Sequence, residues 1–285
     1  MKVTTWNVNG VRAREAQVLD WIERERPDVL CLQEIKASPE HVPPTLVALD
    51  GYWCHWHGNK GYSGVGLHLA KAAFPHPPAF AHPDFDHENR IATVDIEDLT
   101  MASIYVPNGN KDYPAKLRFL SSLEAFVADA HARGRRLVLC GDLNVTLADR
   151  DVHPKLRKPT EIGQSPEEQA LLARLIGHGL VDLLRHHHPD DDNLFTWWAP
   201  WRNLRERNIG WRLDYVLASA AVAARATSCD ADRGFGSSDH GPVTAVFDGP
   251  LVTMTAATAA PAPPPAPAPS PPAPGQLSLF DAQRK

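Results

Sequence analysis

Apolar residues along this chain fall in short runs broken by polar clusters. Val3–Val8 is one such run and predicts a strand. Over Ala13–Arg26 the period lengthens, with Val18, Leu19 and Ile22 on one helical face and Pro27 closing it. Asp28–Gln33 is again continuously apolar, the pattern of a buried strand. Tyr52–His57 with Gly64–Leu69, and Ile91–Glu97 with Met101–Val106, predict strand pairs. Pro114–Arg133 carries Leu117, Leu120, Leu123 and Phe126 at helical spacing, and Leu137–Cys140 predicts the next strand. Ser165-Pro166-Glu167-Glu168 has the form of a capped helix start, opening a helix over Ser165–Ile176. Leu213–Leu217 and Val243–Phe247 predict late strands. Strands thus come in adjacent pairs between few helices. That argues against a doubly wound parallel sheet and predicts an α/β (α+β) body of mixed sheets packed face to face, with helices outside.

Composition divides the chain. From Ala256 to Pro274 it is almost entirely Ala and Pro, which builds no core and favours extended polyproline II. The expected division is a globular body at 1–248, a linker at 249–275 and a terminal peptide at 276–285, without an internal repeat. Eight Trp and nine Phe, with 43% hydrophobic residues, exclude disorder over the body. Four scattered cysteines exclude a disulfide scaffold or zinc ribbon; Cys31 and Cys140, inside apolar runs, read as reduced core thiols of a cytosolic protein. No signal peptide or spanning run is visible, so no membrane association is expected. A net charge of −5 argues against coating nucleic acid by charge alone, while leaving room for a local basic surface.

The candidate chemistry lies where strands give way to polar loops: Asn7-Val8-Asn9-Gly10, Gln33-Glu34, Tyr105-Val106-Pro107-Asn108, Gly141-Asp142-Leu143-Asn144, Asp214 and Ser238-Asp239-His240. Each piece alone is an ordinary turn or cap sequence; their joint occurrence after strands carries the functional reading. The inventory is carboxylates, one His, amides and a phenol. It lacks a nucleophile elbow, a phosphate-cradling P-loop and a dinucleotide fingerprint. Such a set favours a hard cation, Mg²⁺ or Mn²⁺, and in-line hydrolysis of a phosphate ester.

Thr5-Trp6-Asn7-Val8-Asn9-Gly10, Leu32-Gln33-Glu34-Ile35-Lys36, Tyr105-Val106-Pro107-Asn108, Gly141-Asp142-Leu143-Asn144-Val145, Gly210-Trp211-Arg212-Leu213-Asp214-Tyr215 and Ser238-Asp239-His240 closely resemble the exonuclease III family of abasic-site endonucleases. That family has a DNase I-like, four-layer fold of two sheets flanked by helices. The resemblance implies Glu34 as a metal ligand, with Asn7 in its hydrogen-bonding shell and Asp239 near the ion. It implies Asp142 as the group orienting or deprotonating water and Asn144 as a phosphate holder. His240 would contact a phosphate oxygen, its ring fixed by Asp214; Tyr105 and Asn108 would touch the scissile phosphate. Trp197, Trp211 and Leu213 match the family's small pocket for a flipped-out, baseless sugar.

The basic residues Arg202, Arg205, Arg207 and Arg212, and a second run at Lys155, Arg157 and Lys158, are candidate phosphate contacts. Lys111 stands where some relatives carry an Arg that reaches into DNA. His186-His187-His188 reads as an exposed turn, not a metal site, because consecutive residues do not readily face one ion. The implied activity is Mg²⁺-dependent cleavage 5′ to an abasic site in duplex DNA, with 3′-end trimming. The alternatives are the same fold acting on another phosphate ester, or an inactive binding module. The latter would be expected to lack one of Glu34, Asp142, Asn144, Asp239 and His240, all of which are present.

Near the end, Gln276-Leu277-Ser278-Leu279-Phe280 resembles the peptide by which bacterial replication and repair proteins dock on the sliding clamp. An extended stretch of residues 261–275 at about 3.1 Å each would span roughly 45 Å, enough to hold a nuclease clear of a ring. The expected setting is a monomer in a bacterial cytoplasm, associated with the nucleoid.

Overall fold

A computed structural model describes residues 1–252 of the chain. Among them the strands are β1 (Lys2–Asn7), β2 (Val29–Gln33), β3 (Tyr52–Asn59), β4 (Tyr62–Ala70), β5 (Phe80–Ala81) and β6 (Ile91–Ile96). They continue with β7 (Leu99–Tyr105), β8 (Arg136–Asp142), β9 (Leu180–Asp182), β10 (Asp214–Ser219), β11 (Ala226–Ala231) and β12 (Val243–Phe247). They form two six-stranded mixed sheets, ordered β11-β12-β1-β2-β4-β3 and β5-β6-β7-β8-β10-β9. The expected strand pairs are antiparallel neighbours, β3 with β4 and β6 with β7. Each sheet contains one parallel pair, β1 with β2 and β7 with β8.

The inner strands read as continuous apolar runs because both their faces are covered: β2, β7 and most of β8 are buried throughout. Between the sheets a short polar thread is fully paired. Thr5 Oγ1 donates to Gln33 Oε1 (3.1 Å), Gln33 Nε2 to Ser103 Oγ (3.1 Å), and Ser103 Oγ to the Leu32 carbonyl (3.2 Å).

The helix Tyr113–Ala132 lays Leu120, Leu123 and Val127 on the second sheet beside Leu171, Leu172 and Leu175 of the helix Pro166–Gly177. Asp112 caps the first of these, accepting from Ala115 N (2.8 Å). Ser165 and Glu168 form the expected capping box of the second. The first expected helix is split into a 3₁₀ turn, Val11–Arg14, and an α-helix, Glu15–Glu25, ended by Arg26 in the left-handed region (φ 47°) just before Pro27. It seats Val18 and Trp21 among Trp6 and Phe235.

Cys31 and Cys140 are buried free thiols. Strands β5 and β9 escape the sequence pattern because two or three residues carry no periodicity. Strand β11 escapes it as a bulged, half-exposed edge. The packed body does not stop at Asp248: Leu251 and Val252 are buried, and Arg136 Nη2 donates to the Leu251 carbonyl (3.0 Å). The rest of the expected linker and the peptide Gln276–Phe280 lie outside the described residues. Among those described, no helix is long and apolar enough to cross a membrane.

Candidate active site

Strand register assembles the site. In the second sheet Tyr105 pairs with Asp142, and Asp142 pairs with Asp214, so three functional residues share one row across three strands. In the first sheet Asn7 pairs with Gln33, one residue before Glu34. The two rows meet across the packed sheet faces, where Asn7 Nδ2 donates to Asp142 Oδ2 (2.8 Å). Gly141 allows the close β7–β8 approach: a Cβ there would lie 1.8 Å from the Ile104 carbonyl oxygen. Glu34 and Asn144 both hold left-handed backbone (φ 54° and 51°), the kind of local strain that clusters at functional sites.

Asp142 is buried and held from several directions. Asn144 N donates to its Oδ1 (2.9 Å), while Asn144 Nδ2 reaches its Oδ2 (3.2 Å) and the Val106 carbonyl (3.0 Å). Burial, with Asp214 adding repulsion, pushes the Asp142 carboxyl up to about 7, against the opposing pull of His240 and the Asn7 and Asn144 donors. His240 Nδ1 lies 2.8 Å from Asp214 Oδ2, which leaves Nε2 on the other side of the ring, 3.8 Å from Asp142 Oδ2. Burial alone would push this imidazole down; Asp214 and Asp142 reverse that and hold it up at about 10. Tyr105 is pushed well up by burial and by the Glu34 and Asp142 charges, so its phenol stays a proton donor. For Asp239 burial works upward, but His240, Trp197 Nε1 (2.9 Å) and Asn9 Nδ2 (2.8 Å) outweigh it and keep the carboxylate charged.

The His240 charge is open to a direct check. Its titration should sit near 10 rather than at the ordinary 6.5. With the folded value raised, its contribution to stability is fully present below about 6.5 and fades as pH rises through about 10. Imidazole ¹⁵N shifts of the metal-free protein should therefore report an imidazolium throughout the neutral range, and Asp214→Asn should lower the midpoint. A ring that loses its proton near 6.5 in the parent protein would rule out this ion pair.

These groups line one open cavity of about 530 Å³. Glu34, Tyr105, Asp142, Asp239 and His240 supply its polar lining, and Trp197, Trp211, Leu213 and Ile162 its apolar lining. Trp197 and Trp211 meet edge to face, 5.6 Å between centroids, on a small two-way backbone bridge. Asn108 and Asn144 line the same cavity.

Some expected roles change. Asn7, expected in the hydrogen-bonding shell of Glu34, is wholly buried and does not line the cavity; its amide donates to Asp142 instead. Arg212 is fully buried, gripped by Asp151 (2.8 and 2.9 Å) and Asp182 (2.6 Å) and stacked 4.5 Å over Tyr215. With its charge already paired inside the protein, it is a structural residue and not a DNA contact. Arg205 is likewise engaged, donating to the carbonyls of Arg233, Phe235 and Ser238, so it fastens the loop that leads to Asp239. Arg202 and Arg207 are exposed. Lys111 is exposed 5.9 Å over the Tyr62 ring, outside the cavity wall.

Other residues of the site had no role assigned from the sequence, although Lys36 and Asn9 lie within its motifs. Lys36 Nζ bridges Glu34 (2.8 Å) and Asn9 Oδ1 (2.6 Å), completing a chain from Glu34 to Asp239. Asn9 sits inside a quoted motif, so its signal was present; Ile162, in a loop, carried none. Lys116, buried in a helix, donates to the carbonyls of Asn144 (2.7 Å) and Asn108 (3.4 Å) and pairs with Glu168. A Lys at a buried helical position was its only trace.

The donors fit a divalent ion. Glu34 and Asp239 present oxygen to the cavity, and the Lys36 ammonium already stands beside Glu34 where positive charge is favoured. Asp142, Asp214 and His240 also bring ligand atoms within 4.8 Å of one another.

Comparison with known proteins agrees with this geometry. Residues 4–240 match the Endonuclease/Exonuclease/phosphatase family. The chain is 33% identical to DNA repair nuclease APEX1 of Danio rerio over 86% of its length and 81% of that protein. It is 30% identical to exodeoxyribonuclease III of Haemophilus influenzae over 87% of its length and 100% of that protein. Among solved structures, a 3′ phosphatase from Neisseria bound to a product DNA hairpin superposes with a TM-score of 0.79 at 32% identity, covering 87% of this chain and 100% of that one. An AP endonuclease from Archaeoglobus fulgidus gives 0.77 at 28% identity, with the same coverage. With two flanked six-stranded sheets and this carboxylate–imidazole site between them, the chain belongs to the divalent-metal-dependent endonuclease/exonuclease/phosphatase family, on its exonuclease III branch of repair nucleases.

Proposed function

We infer that this protein is a DNA-repair nuclease that hydrolyses the phosphodiester 5′ to an abasic site, leaving a 3′-hydroxyl and a 5′-deoxyribose phosphate. One observation carries the reading: a buried carboxylate–imidazolium pair and two tryptophan indoles line the same cavity. Asp142, tuned near neutrality, takes the proton of the attacking water. His240 donates Nε2–H to a phosphate oxygen as charge builds there, its ring aimed by Asp214. The Tyr105 phenol and the Asn108 amide hold the phosphate, while Asn144 braces Asp142. Glu34, with Asp239 nearby, would hold Mg²⁺ or Mn²⁺, which would neutralise phosphate charge. Trp197, Trp211 and Leu213 accept a sugar without a base and leave no room for an intact nucleotide; the missing base also makes extrusion cheap. Resection of 3′ ends uses the same centre, as the likeness to the Neisseria 3′ phosphatase supports.

The test is a duplex with one abasic analogue, incubated with Mg²⁺ or with EDTA, beside a phospholipid substrate. Incision immediately 5′ to the lesion, only with metal, is expected. Phospholipid hydrolysis without DNA incision would overturn the reading. Trp211→Ser is expected to weaken discrimination between abasic and intact duplex more than bulk DNA affinity, since affinity rests on phosphate contacts. Competition kinetics with both duplexes measures this, and unchanged selectivity would place the pocket elsewhere.

The terminal Gln276-Leu277-Ser278-Leu279-Phe280 is proposed to dock on a bacterial sliding clamp, its two Leu and Phe filling an apolar cleft. Its sequence, beyond a Pro/Ala stretch, supports the reading. Deleting Gln276–Phe280 is expected to abolish weak, micromolar-range clamp binding while leaving incision of short oligonucleotides intact. Clamp affinity unchanged by the deletion, measured by surface plasmon resonance, would refute the docking role.

A further inference from the structure

A second cluster of ligating side chains stands away from the catalytic cavity and shares no wall residue with it. His57 on β3, together with His82 and Asp86, each present a ligand atom, all within 4.8 Å of one another. Asp86 is set in place by the backbone: Oδ1 accepts from Arg90 N (2.8 Å) and Oδ2 from Ile91 N (3.1 Å). Its side chain is 0% exposed, and His57 Nε2 lies 2.8 Å from Oδ2. The His57 ring is stacked on His82, 4.5 Å between centroids at 17°, and is near-parallel to His55 at 6.1 Å. The 82–86 segment is itself a tight turn, closed by Asp86 N donating to the Pro83 carbonyl (2.9 Å). One imidazole and one carboxylate are therefore fixed in advance, and the exposed His82 ring is the adjustable third donor.

We propose that His57, His82 and Asp86 form a binding site for a divalent transition-metal ion of the zinc type, separate from the catalytic metal. Imidazole nitrogen selects zinc, cobalt, nickel or copper over Mg²⁺, and three protein donors leave a fourth position for water. Bonds of about 2.0–2.1 Å place tetrahedral ligand atoms roughly 3.3 Å apart. The His57–Asp86 contact opens slightly to admit the ion, and His82 swings in. The backbone N–H groups of Arg90 and Ile91 then serve as the outer partners that orient the ligating carboxylate. Bound there, the ion ties β3 to the loop ending at Arg90, whose guanidinium lies 4.9 Å over the Tyr105 ring. The role is to pin the loop behind a catalytic side chain, not to take part in hydrolysis.

The test uses the full chain without a polyhistidine tag, stripped of metal and titrated with Zn²⁺ by calorimetry in excess Mg²⁺, which occupies the oxygen-rich catalytic site. One zinc per chain that Mg²⁺ does not displace is expected. His82→Ala should weaken it by at least about tenfold, the scale of even outer-partner losses at metal sites, with unchanged circular dichroism and, in Mg²⁺ without zinc, unchanged abasic-site incision. His82→Gln provides a second variant that keeps side-chain bulk. Co²⁺ in place of Zn²⁺ should show intense visible bands in the parent and lose them in both variants. Zinc affinity unchanged by both substitutions, zinc fully displaced by Mg²⁺, or a loss that instead follows His187→Ala would each overturn the proposal.

Discussion

Asp142→Asn should leave a folded protein that binds abasic DNA and no longer cuts it. The substitution keeps the shape of a side chain that is 1% exposed and wedged between Asn7, Asn144 and His240. It removes the proton-accepting carboxylate and its charge beside His240, and turns one of two accepting oxygens into an amide donor. In the parent protein burial holds this carboxyl near 7, so it is a base matched to neutral conditions. General base catalysis is worth about 10²–10⁴-fold, and the loss in single-turnover rate should be at least that. Glu34→Ala should fail as severely for a different reason. It removes a cavity-facing oxygen donor, so raising the metal concentration should recover part of the rate in Glu34→Ala and none in Asp142→Asn. Near-parental turnover by Asp142→Asn, or equal rescue of both variants by metal, would sink the division of labour proposed here.

Lys116→Met should cost more stability than any surface charge substitution in the molecule. Lys116 and Glu168 are both 0% exposed and lie 2.5 Å apart, joining the helices Tyr113–Ala132 and Pro166–Gly177. The ammonium also donates to the Asn144 carbonyl, while Glu168 Oε2 accepts from Gly163 N (2.8 Å) and Ser165 Oγ (2.7 Å). Losing one partner strands a buried charge, at about 3–5 kcal/mol. Urea unfolding should show a lower midpoint with an unchanged slope. The double variant Lys116→Met, Glu168→Gln should recover part of the loss, because no uncompensated charge remains. Incision should fall as well, since the pair anchors the backbone behind Asn144 and Asn108. A destabilisation below about 1 kcal/mol, the range of exposed pairs, would show that the bridge is not sealed from water.

Much of this architecture was legible from hydrophobic pattern alone. The long helix with its Leu117–Leu120–Leu123 stripe, the capped helix after Ser165 and the paired strands of both sheets lie within a few residues of where periodicity placed them. Local physics suffices there: a side chain's face is fixed by its spacing, and a cap by its neighbours. The identity of the polar groups was legible too, because each sits at or beside the end of an apolar run, and strand ends are marked in the sequence.

Tertiary structure decided how those groups divide their work. Asn7 and Glu34 look equivalent as polar residues after strands, yet the register between the sheets turns Asn7 inward to Asp142 and leaves Glu34 facing the cavity. Arg212 reads as a phosphate contact beside two tryptophans until the fold encloses it between Asp151 and Asp182, contributed by segments 61 and 30 residues away. Burial raises the Asp142 pKa, while the Asp214 and Asp142 charges raise that of His240 against its burial; these groups meet only when β8, β10 and the segment before β12 converge. The pairing of Lys116 with Glu168, and the meeting of His57, His82 and Asp86, carry no mark in one dimension, because such pairing depends on three-dimensional distance. Periodicity reports which side chains turn toward the core; which polar groups meet there is set by sheet register and packing, which no local window contains.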